Sequence, residues 1–253
     1  MFEEFERRLD EICGKIFLSL SDVQKRQFFE YYERLIEKNK VMNLTAITEM
    51  DDVILKHFID SILLVKALPD INTLPYSCID VGTGAGFPGI PLKIVFPQLK
   101  IVLLDSLNKR VGFLKEIVEA LKLSDVQAIH GRAEDYGRKE EYREQFDLCF
   151  SRAVANLATL SEYCIPFVKK GGFFISYKSA KAEEEMQGAR EAVRRLGGEM
   201  QPAVSLYLPG TDVERCFVSV KKLWITPKKY PRKAGMPLKE PLKGNVGEKK
   251  SET

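Results

Sequence analysis

The stretch that decides the fold is Cys78-Ile79-Asp80-Val81-Gly82-Thr83-Gly84-Ala85-Gly86-Phe87-Pro88-Gly89-Ile90. It combines a short apolar strand, an acidic residue, alternate glycines and the start of an apolar-periodic helix. Glycines let the backbone turn tightly and approach a ligand closely, because they carry no Cβ. The free N–H groups at the start of the helix favour a carboxylate or a phosphate in the same space. The stretch therefore predicts a binding site for a nucleotide-like cofactor.

The spacing of the glycines distinguishes two classes of cofactor. A dinucleotide fingerprint needs Gly-x-Gly-x-x-Gly, whereas Gly82, Gly84 and Gly86 form Gly-x-Gly-x-Gly and Phe87 takes the place of the third dinucleotide glycine. Asp105 ends the next predicted strand, where a carboxylate can accept both hydroxyls of a ribose. With the acidic residue before the first glycine, the pattern resembles the first two motifs of class I S-adenosylmethionine-dependent methyltransferases. Dehydrogenases also keep the ribose carboxylate, so that residue alone does not separate the two classes.

Strands and helices alternate after this start, as is typical of a parallel α/β sheet. The strands are predicted near 77–82, 100–105, 126–130, 146–150 and 172–177, and the helices near 89–96, 108–121, 157–166 and 181–196. Residues 200–208 and 215–223 instead predict two strands around a turn, which matches a methyltransferase sheet better than the second half of a dehydrogenase. The predicted fold class is α/β: a Rossmann-like class I methyltransferase with a mostly parallel sheet, an antiparallel last strand and a helical N-terminal extension.

The N-terminal region predicts three amphipathic helices. Apolar spacing predicts a helix over 3–17, a second helix N-capped by Ser21 and a third from about Asp51. Pro69 and the following polar residues break this pattern. We therefore predict an N-terminal helical extension packed on the catalytic domain (1–70), a methyltransferase domain (71–224) and a basic, Pro/Lys-rich C-terminal segment with a disordered tail (225–253).

The composition indicates an ordinary globular protein. The 253 residues are 45% hydrophobic and 30% charged, which suits one catalytic domain with extensions. No apolar run approaches the roughly 20 residues of a membrane helix, and the acidic N-terminus does not resemble a signal peptide. The five cysteines are scattered without metal-binding spacing, which is typical of reduced thiols in a cytosol. We expect a cytoplasmic monomer that binds neither a membrane nor a metal.

The net charge of +3 conceals an uneven distribution. Residues 221–253 contain ten Lys or Arg and three Glu, whereas the other 220 residues contain 29 basic and 33 acidic side chains. A basic segment on a near-neutral body indicates contact with a polyanion, and a merely solvated lysine-rich terminus is the alternative. Phosphate contacts would position an RNA without selecting its sequence. The candidates for such contacts are Lys228, Lys229, Arg232 and Lys233.

Two further segments follow predicted strands at the edge where the glycine turn lies. Class I methyltransferases bind adenine with a loop after the third strand, which predicts contacts from Ala133 and Glu134 here; an acidic helix start is the alternative. After the fourth strand, Arg152 presents a fork of donors suited to a methionine carboxylate or an RNA phosphate. A surface ion pair is the alternative for this arginine.

The absence of two motifs around Arg152 also narrows the kind of atom that could accept the methyl group. The chain lacks an Asp/Asn-Pro-Pro-Tyr/Phe motif for exocyclic amino groups and a Pro-Cys pair for pyrimidine C5. A ring nitrogen such as guanine N7 has a free lone pair, so its methylation needs no base. Alignment of the reactants alone can supply about 7–11 kcal/mol.

Several motifs together resemble the RsmG (GidB) family over roughly residues 20–240. They are Asn43-Leu44-Thr45-Ala46-Ile47, His57 with Asp60 and Ser61, the glycine stretch through Pro91, Leu104-Asp105-Ser106 with Lys109-Arg110, Arg132-Ala133-Glu134, Ser151-Arg152-Ala153-Val154-Ala155, Lys170-Gly171-Gly172, Tyr207-Leu208-Pro209 and Thr226-Pro227 with Tyr230-Pro231-Arg232. The resemblance implies a bacterial 16S ribosomal RNA methyltransferase that uses S-adenosylmethionine and forms 7-methylguanosine in the conserved loop near the decoding centre. It also implies cofactor contacts at Gly82, Phe87, Ala133, Glu134 and Arg152.

On this basis we expect the acceptor to be 16S rRNA or a small-subunit particle, and not DNA. Asn43, His57, Asp60 and Ser61 are expected to line the acceptor side, with Arg152 beneath; a helix-surface histidine is the alternative for His57. Two other functions stay open. One is a methyltransferase acting on a small molecule or protein, and the other is a non-enzymatic RNA- or nucleotide-binding module.

Overall fold

The computed structural model of the protein describes residues 1–152, 155–179 and 182–242. The tail after Lys243, predicted to be disordered, lies outside the described residues. Ala153 and Val154 of the motif after the fourth strand lie outside them as well.

The described residues form a mixed sheet. Its strands are β1 Ser77–Val81, β2 Lys100–Asp105, β3 Val126–His130, β4 Phe146–Arg152, β5 Val168–Lys178, β6 Gly198–Met200, β7 Val204–Tyr207 and β8 Glu214–Lys222. The order across the sheet is β3-β2-β1-β4-β5-β8-β6, and β7 also pairs with β8. The first five strands are parallel and β8 runs antiparallel to β5. The predicted fold class is confirmed, and the strand order reverses between β1 and β4, where a ligand crevice is expected.

The helices surround this sheet. They are α1 Phe2–Lys15, α2 Asp22–Met42, α3 Met50–Val53, α4 Asp60–Ile62, α5 Gly89–Val95, α6 Asn108–Ala120, α7 Ala133–Tyr136, α8 Leu157–Cys164, α9 Ala182–Arg195 and α10 Met236–Lys239. Within the described ranges, none of them has the length and apolarity that crossing a bilayer would require. The predicted helices are confirmed; α7 and α10 were not predicted, because four residues are too few to show a helical period.

Two elements differ from their predicted form. The helix predicted from Asp51 contains a π-helical segment, Ile54–Ile59, between α3 and α4. The strand predicted over 200–208 is divided into β6 and β7. The intervening residues include Pro202, which has no N–H for the ladder.

Two cores cover the two faces of the sheet. One contains Phe28 and Phe58 of the N-terminal helices together with Leu103 of β2. The other contains Leu104 of β2 together with residues of α8 and α9 such as Leu160. Successive residues of β2 enter different cores because side chains alternate across a strand. The N-terminal helices therefore share a core with the sheet, while the division of the chain at residues 70 and 224 stays a prediction.

The chain after β8 returns across the protein as an ordered segment, which we call the C-terminal strap (residues 226–242). Its start lies at the edge of the sheet where β4 begins: the Thr226 N–H donates to Glu144 Oε1 at 2.7 Å. Further along, Arg232 Nη2 donates to Glu162 Oε2 at 2.7 Å, and this glutamate side chain is 1% exposed. Thr159 Oγ1 of α8 donates to the Pro237 carbonyl. The described part of the basic segment is therefore held against α8 and the residues just before β4.

The predicted N-cap of α2, Ser21, can be tested by mutation. Ser21 Oγ accepts from the Gln24 N–H, and Gln24 Oε1 accepts from the Ser21 N–H, so a complete capping box is present. We expect Ser21→Ala to lower the free energy of unfolding by about 1 kcal/mol, measured by chemical denaturation. Ser19→Ala, at an exposed position outside the helix, is the matched control and should change it by less than about 0.5 kcal/mol. Equal values for the two variants would contradict the capping role.

Candidate active site

The glycine turn joins the carboxyl ends of β1 and β2. The N–H groups of Gly82 and Thr83 donate to the Leu104 carbonyl at 2.8 and 3.2 Å. Gly86 has a φ of +106°, and a Cβ there would lie 2.5 Å from Ile90 Cδ1. Gly84 has a φ of +64°, and a Cβ there would meet no atom within 4 Å. The turn therefore requires glycine on conformational grounds and leaves open space in which a ligand can approach its backbone.

Asp80 lies buried beneath this turn. Its Oδ2 accepts from Thr83 Oγ1 at 2.7 Å and from the Gly89 N–H at 2.9 Å, whereas Oδ1 is buried without a hydrogen-bond partner among the described residues. Burial raises the pKa of Asp80 to about 6. An unpaired buried carboxylate oxygen costs free energy, so the site suits a ligand that brings a cationic donor. The sequence motif contains this residue, but its unpaired oxygen was not predicted.

Asp105, at the end of β2, is buried beside the same turn. Its Oδ2 accepts from the Gly84 N–H and its Oδ1 from the Leu107 N–H, both at 2.9 Å. Arg110 Nη1 lies 3.6 Å from Oδ2. A carboxylate has about four acceptor positions, so these bonds leave acceptor capacity for hydroxyl groups of a ribose.

A cavity of about 300 Å³ lies beyond the ends of β1, β2 and β3. It is lined by Val81, Gly82, Leu104, Ser106, Gly131, Arg132, Ala133, Glu134, Ala155, Tyr163, Gly235 and Leu238. We call it the nucleoside pocket. The predicted contacts Gly82, Ala133 and Glu134 are thus brought together. Glu134 Oε1 accepts from the Gly235 N–H at 2.8 Å, a contact that sequence analysis missed because the two residues are 101 positions apart.

A second cavity of about 520 Å³ lies at the ends of β4 and β5. It is lined by Lys56, His57, Asp60, Arg152, Tyr177, Lys178, Ser179, Glu185 and Arg215. We call it the acceptor-side pocket. Ser151 Oγ donates to the Val81 carbonyl at 2.7 Å, which ties the end of β4 to the end of β1. The two pockets therefore lie at neighbouring strand ends.

Asp60 pairs with two arginines in the acceptor-side pocket. Arg152 Nη1 donates to its Oδ2 at 2.9 Å and Arg215 Nε donates to its Oδ1 at 2.7 Å. The Asp60 side chain is 4% exposed, so the carboxylate is held by two guanidinium groups out of contact with bulk water. Arg215 was not predicted, because it lies 155 positions from Asp60 and follows no recognisable motif.

Phe87 of the glycine turn packs against two residues that line the acceptor-side pocket, His57 and Arg152. Its ring stacks on Tyr31 at 5.4 Å and on His57 at 4.5 Å between centroids. Arg152 Cζ lies 5.1 Å from the centre of the same ring. The cis peptide bond before Pro88 belongs to this turn. Phe87 and Arg152, predicted as cofactor contacts, therefore touch each other; Arg152 lines the acceptor-side pocket, and neither of them is in the lining of the nucleoside pocket.

Both ring nitrogens of His57 are occupied. Nε2 lies 2.7 Å from Thr45 Oγ1, and Nδ1 lies 3.4 Å from Arg152 Nη2. Because a guanidinium only donates, Nδ1 is the acceptor and the proton of the neutral ring lies on Nε2. Burial and the nearby Arg152 lower the pKa of His57 to about 4. The ring is therefore neutral at pH 7 and offers a flat, half-buried surface, while neither nitrogen is free to accept a proton from a substrate.

The other two predicted acceptor residues lie outside the lining of this pocket. Asn43 is exposed and caps the end of α2 with a left-handed backbone, two positions before Thr45. Ser61 is buried; its Oγ donates to the His57 carbonyl at 2.6 Å and its own carbonyl accepts from Tyr177 Oη. Ser61 therefore supports the residues that line the pocket.

The predicted basic residues are spread along the C-terminal strap. Lys228 and Lys229 are exposed and lie between Thr226 and Tyr230, whose carbonyls accept from Arg143 just before β4. They are thus at the edge of the sheet opposite the glycine turn. Lys233 is exposed and lies two residues before Gly235. Arg232, in contrast, has its guanidinium engaged by the buried Glu162, which assigns it to anchoring the strap.

Metal ligation finds no support in the described side chains. Over residues 1–152, 155–179 and 182–242, no group of three or more His, Cys, Asp or Glu is placed to hold an ion. The cysteines at 13, 78, 149, 164 and 216 are buried and free.

Solved structures share the fold at low sequence identity. TYW2 of M. jannaschii, solved in complex with AdoMet, has a TM-score of 0.50 and 16% identity, covering 65% of this chain and 77% of that chain. A protein of Agrobacterium tumefaciens described as a predicted O-methyltransferase has a TM-score of 0.51 and 16% identity, covering 66% and 84%. These similarities establish the methyltransferase-like fold alone.

Sequence comparison establishes the family. The model of GidB, described as rRNA small subunit methyltransferase G, matches residues 24–209. A protein of Lachnoclostridium phytofermentans named ribosomal RNA small subunit methyltransferase G is 52% identical over 225 residues, which cover 89% of this chain and 92% of that protein. A protein of Clostridium botulinum with the same name is 48% identical over 240 residues, covering 95% and 100%. The chain belongs to the GidB family of rRNA small subunit methyltransferase G proteins.

Proposed function

We propose that this protein transfers a methyl group from S-adenosylmethionine to N7 of a guanosine in the conserved decoding-region loop of 16S rRNA. The observation that carries this proposal is the pair of neighbouring pockets at the ends of β1 and β4. One lies beside the glycine turn, and its lining residues are next in sequence to a ribose-type carboxylate (Asp105) and to a carboxylate with an unpaired buried oxygen (Asp80). The other presents a neutral ring and charges that are already paired. Membership of the family supports ribosomal RNA as the acceptor.

The residues present fit this cofactor. Gly82, Gly84 and Gly86 provide the close backbone approach, Asp105 the acceptors for the ribose, and Ala133 and Glu134 the nucleoside pocket. Asp80 Oδ1 is an unpaired acceptor beneath the turn for a cationic group, and Phe87 connects the turn to Arg152 of the acceptor-side pocket. When bound, S-adenosylmethionine supplies a methyl group activated by a positively charged sulfur.

The chemistry that remains for the protein is alignment and exclusion of water. Guanine N7 has a lone pair and loses no proton in the reaction, so no general base is needed. The neutral His57 adds no positive charge beside the donor, and Arg152 is paired with Asp60, which it shares with Arg215. Holding the two reactants in line can contribute about 7–11 kcal/mol.

The proposal also covers the acceptor, the oligomeric state and the location of the protein. We propose that the acceptor is 16S rRNA or a small-subunit particle, and that the protein acts as a cytoplasmic monomer without binding DNA or a membrane.

The direct experiment is incubation of the purified protein with labelled S-adenosylmethionine and small subunits from a strain that lacks the gene. Labelled 7-methylguanosine in the 16S rRNA supports the proposal. Label in a small molecule or protein alone favours the second function, and no transfer with intact RNA binding favours a binding module.

The first prediction concerns His57. His57→Ala should lower the methylation rate by about tenfold or more, because the acceptor base loses a flat surface against which it is aligned. His57→Phe should keep most of the activity, since it retains the surface and carries no titrating group. Rates on small subunits and affinity for S-adenosylmethionine by calorimetry are the measurements, and the affinity should stay near that of the unmodified protein. Full activity of His57→Ala, or equal loss in both variants, would contradict the assignment.

The second prediction concerns the strap lysines. Replacing Lys228, Lys229 and Lys233 together by Gln should weaken binding to small subunits. It should also reduce the slope of log affinity against log salt concentration by roughly 0.7–0.9 for each lost phosphate contact. Cofactor affinity should not change, because none of the three side chains lines the nucleoside pocket.

A matched variant with three exposed lysines elsewhere, Lys100, Lys115 and Lys122, changed to Gln controls for net charge. The prediction fails if both triple variants lose the same affinity. Restoring Lys233 alone should recover more binding than restoring Lys228, because Lys233 lies nearer the pocket along the strap.

The third prediction concerns pH. Because burial raises the pKa of Asp80 to about 6, its carboxyl is protonated below that pH and negative above it. Affinity for the cationic S-adenosylmethionine should therefore rise between about pH 5 and about pH 7, with a midpoint near 6, and then level off. Asp80→Asn should abolish this rise. The neutral analogue 5′-methylthioadenosine should show no such rise with the unmodified protein, and calorimetry that finds identical pH profiles for both ligands would refute the role of Asp80.

A further inference from the structure

One wall of the nucleoside pocket comes from the C-terminal strap. Gly235 and Leu238 line the pocket together with Glu134, to which Gly235 is hydrogen-bonded. The family match ends at residue 209, so this wall lies beyond the matched region.

The strap is held in this place by contacts on both sides of Gly235. Before it, Arg232 pairs with Glu162, and the Arg232 N–H donates to the same carboxylate at 2.7 Å. After it, the Pro237 carbonyl accepts from Thr159 Oγ1 at 3.1 Å. Glu162 and Thr159 both belong to α8 and are fully buried. The position of the strap is therefore set by the core of the catalytic domain.

Two contacts connect the strap to the ligand space. The Gly235 N–H donates to Glu134 Oε1 at 2.8 Å, which fixes the orientation of a carboxylate that lines the pocket. Leu238 is an apolar side chain that remains 60% exposed although it lies at the pocket. A planar apolar ligand in the pocket would cover part of that surface, and burial of apolar area is favourable at about 25 cal/mol per Å².

We propose that the C-terminal strap is a cofactor-binding element: Gly235 orients Glu134, and Leu238 covers the nucleoside of S-adenosylmethionine. This inference rests on the proposed function, because it takes that cofactor as the ligand of the pocket. It gives the strap a role that is separate from any contact of its lysines with RNA.

Leu238→Ala tests the covering contact. It should weaken S-adenosylmethionine by about tenfold, equivalent to about 1.4 kcal/mol, and weaken 5′-methylthioadenosine by the same factor, because the two ligands share the nucleoside. Ile225→Ala is the matched control: Ile225 is an exposed apolar residue just before the strap and should leave both affinities unchanged. Calorimetry with the full chain measures the six dissociation constants of the unmodified protein and the two variants for the two ligands.

Gly235→Ala tests the orienting contact. Gly235 has a φ of +84°, and a Cβ there would meet no atom within 4 Å, so the substitution strains the backbone without a clash. Gly171→Ala is the matched control, since Gly171 has a φ of +89° and equally open space. Both variants should lose similar thermal stability, but only Gly235→Ala should weaken the two ligands and raise the KM for S-adenosylmethionine without raising that for small subunits.

The outcomes separate this inference from the proposed function. If the unmodified protein binds S-adenosylmethionine but Leu238→Ala and Gly235→Ala bind it equally well, the strap has no cofactor role and the inference is overturned. A loss for S-adenosylmethionine without a loss for 5′-methylthioadenosine also overturns it, because the contact would then lie away from the nucleoside. If the unmodified protein binds neither ligand, the proposed function itself fails.

Discussion

The stacked rings of Tyr31, Phe87 and His57 connect the N-terminal helices to the glycine turn, and both pockets depend on that contact. The hydroxyl of Tyr31 also donates to the Ala85 carbonyl at 2.5 Å, within the same turn. Because protein interiors are closely packed, α2 cannot shift without moving the Phe87 ring. That ring joins the glycine turn to His57 and Arg152, which line the acceptor-side pocket. The N-terminal helices therefore take part in forming the site.

Two buried ion pairs attach β8 and the C-terminal strap to the rest of the protein. Asp60 is paired with Arg215 of β8, and Glu162 with Arg232 of the strap. Removing one partner of such a pair typically costs about 3–5 kcal/mol, because the other charge is left uncompensated. In the acceptor-side pocket, Asp60 is held by two arginines and Glu185 by Lys178, so neither of these described lining carboxylates is free to act as a base. This agrees with an acceptor nitrogen that carries its own lone pair.

Short sequence patterns were sufficient to predict several structural features. The glycine spacing and the acidic residue at 105 indicated the cofactor turn, because the conformation of a tight turn is set within a few residues. Ser21 indicated the start of α2 through its own capping bonds. The π-helical segment at Ile54–Ile59 could not be predicted, since it conserves the helical pattern of apolar residues while changing the hydrogen bonding. Arg232 looked like a phosphate contact because its sequence context shows only neighbouring lysines and prolines.

The sequence alone determined four properties of this protein. They are the α/β class, the parallel succession of strands, the glycine turn over Asp80 and the uneven charge of the chain. These properties arise from backbone preferences and from patterns that repeat within one element. Tertiary structure alone decided that Arg215 and Arg152 share Asp60, that His57 is neutral with both nitrogens occupied, and that Gly235 and Leu238 complete the nucleoside pocket. Such contacts join residues tens to more than a hundred positions apart, and they form only when the sheet brings its carboxyl ends to one edge.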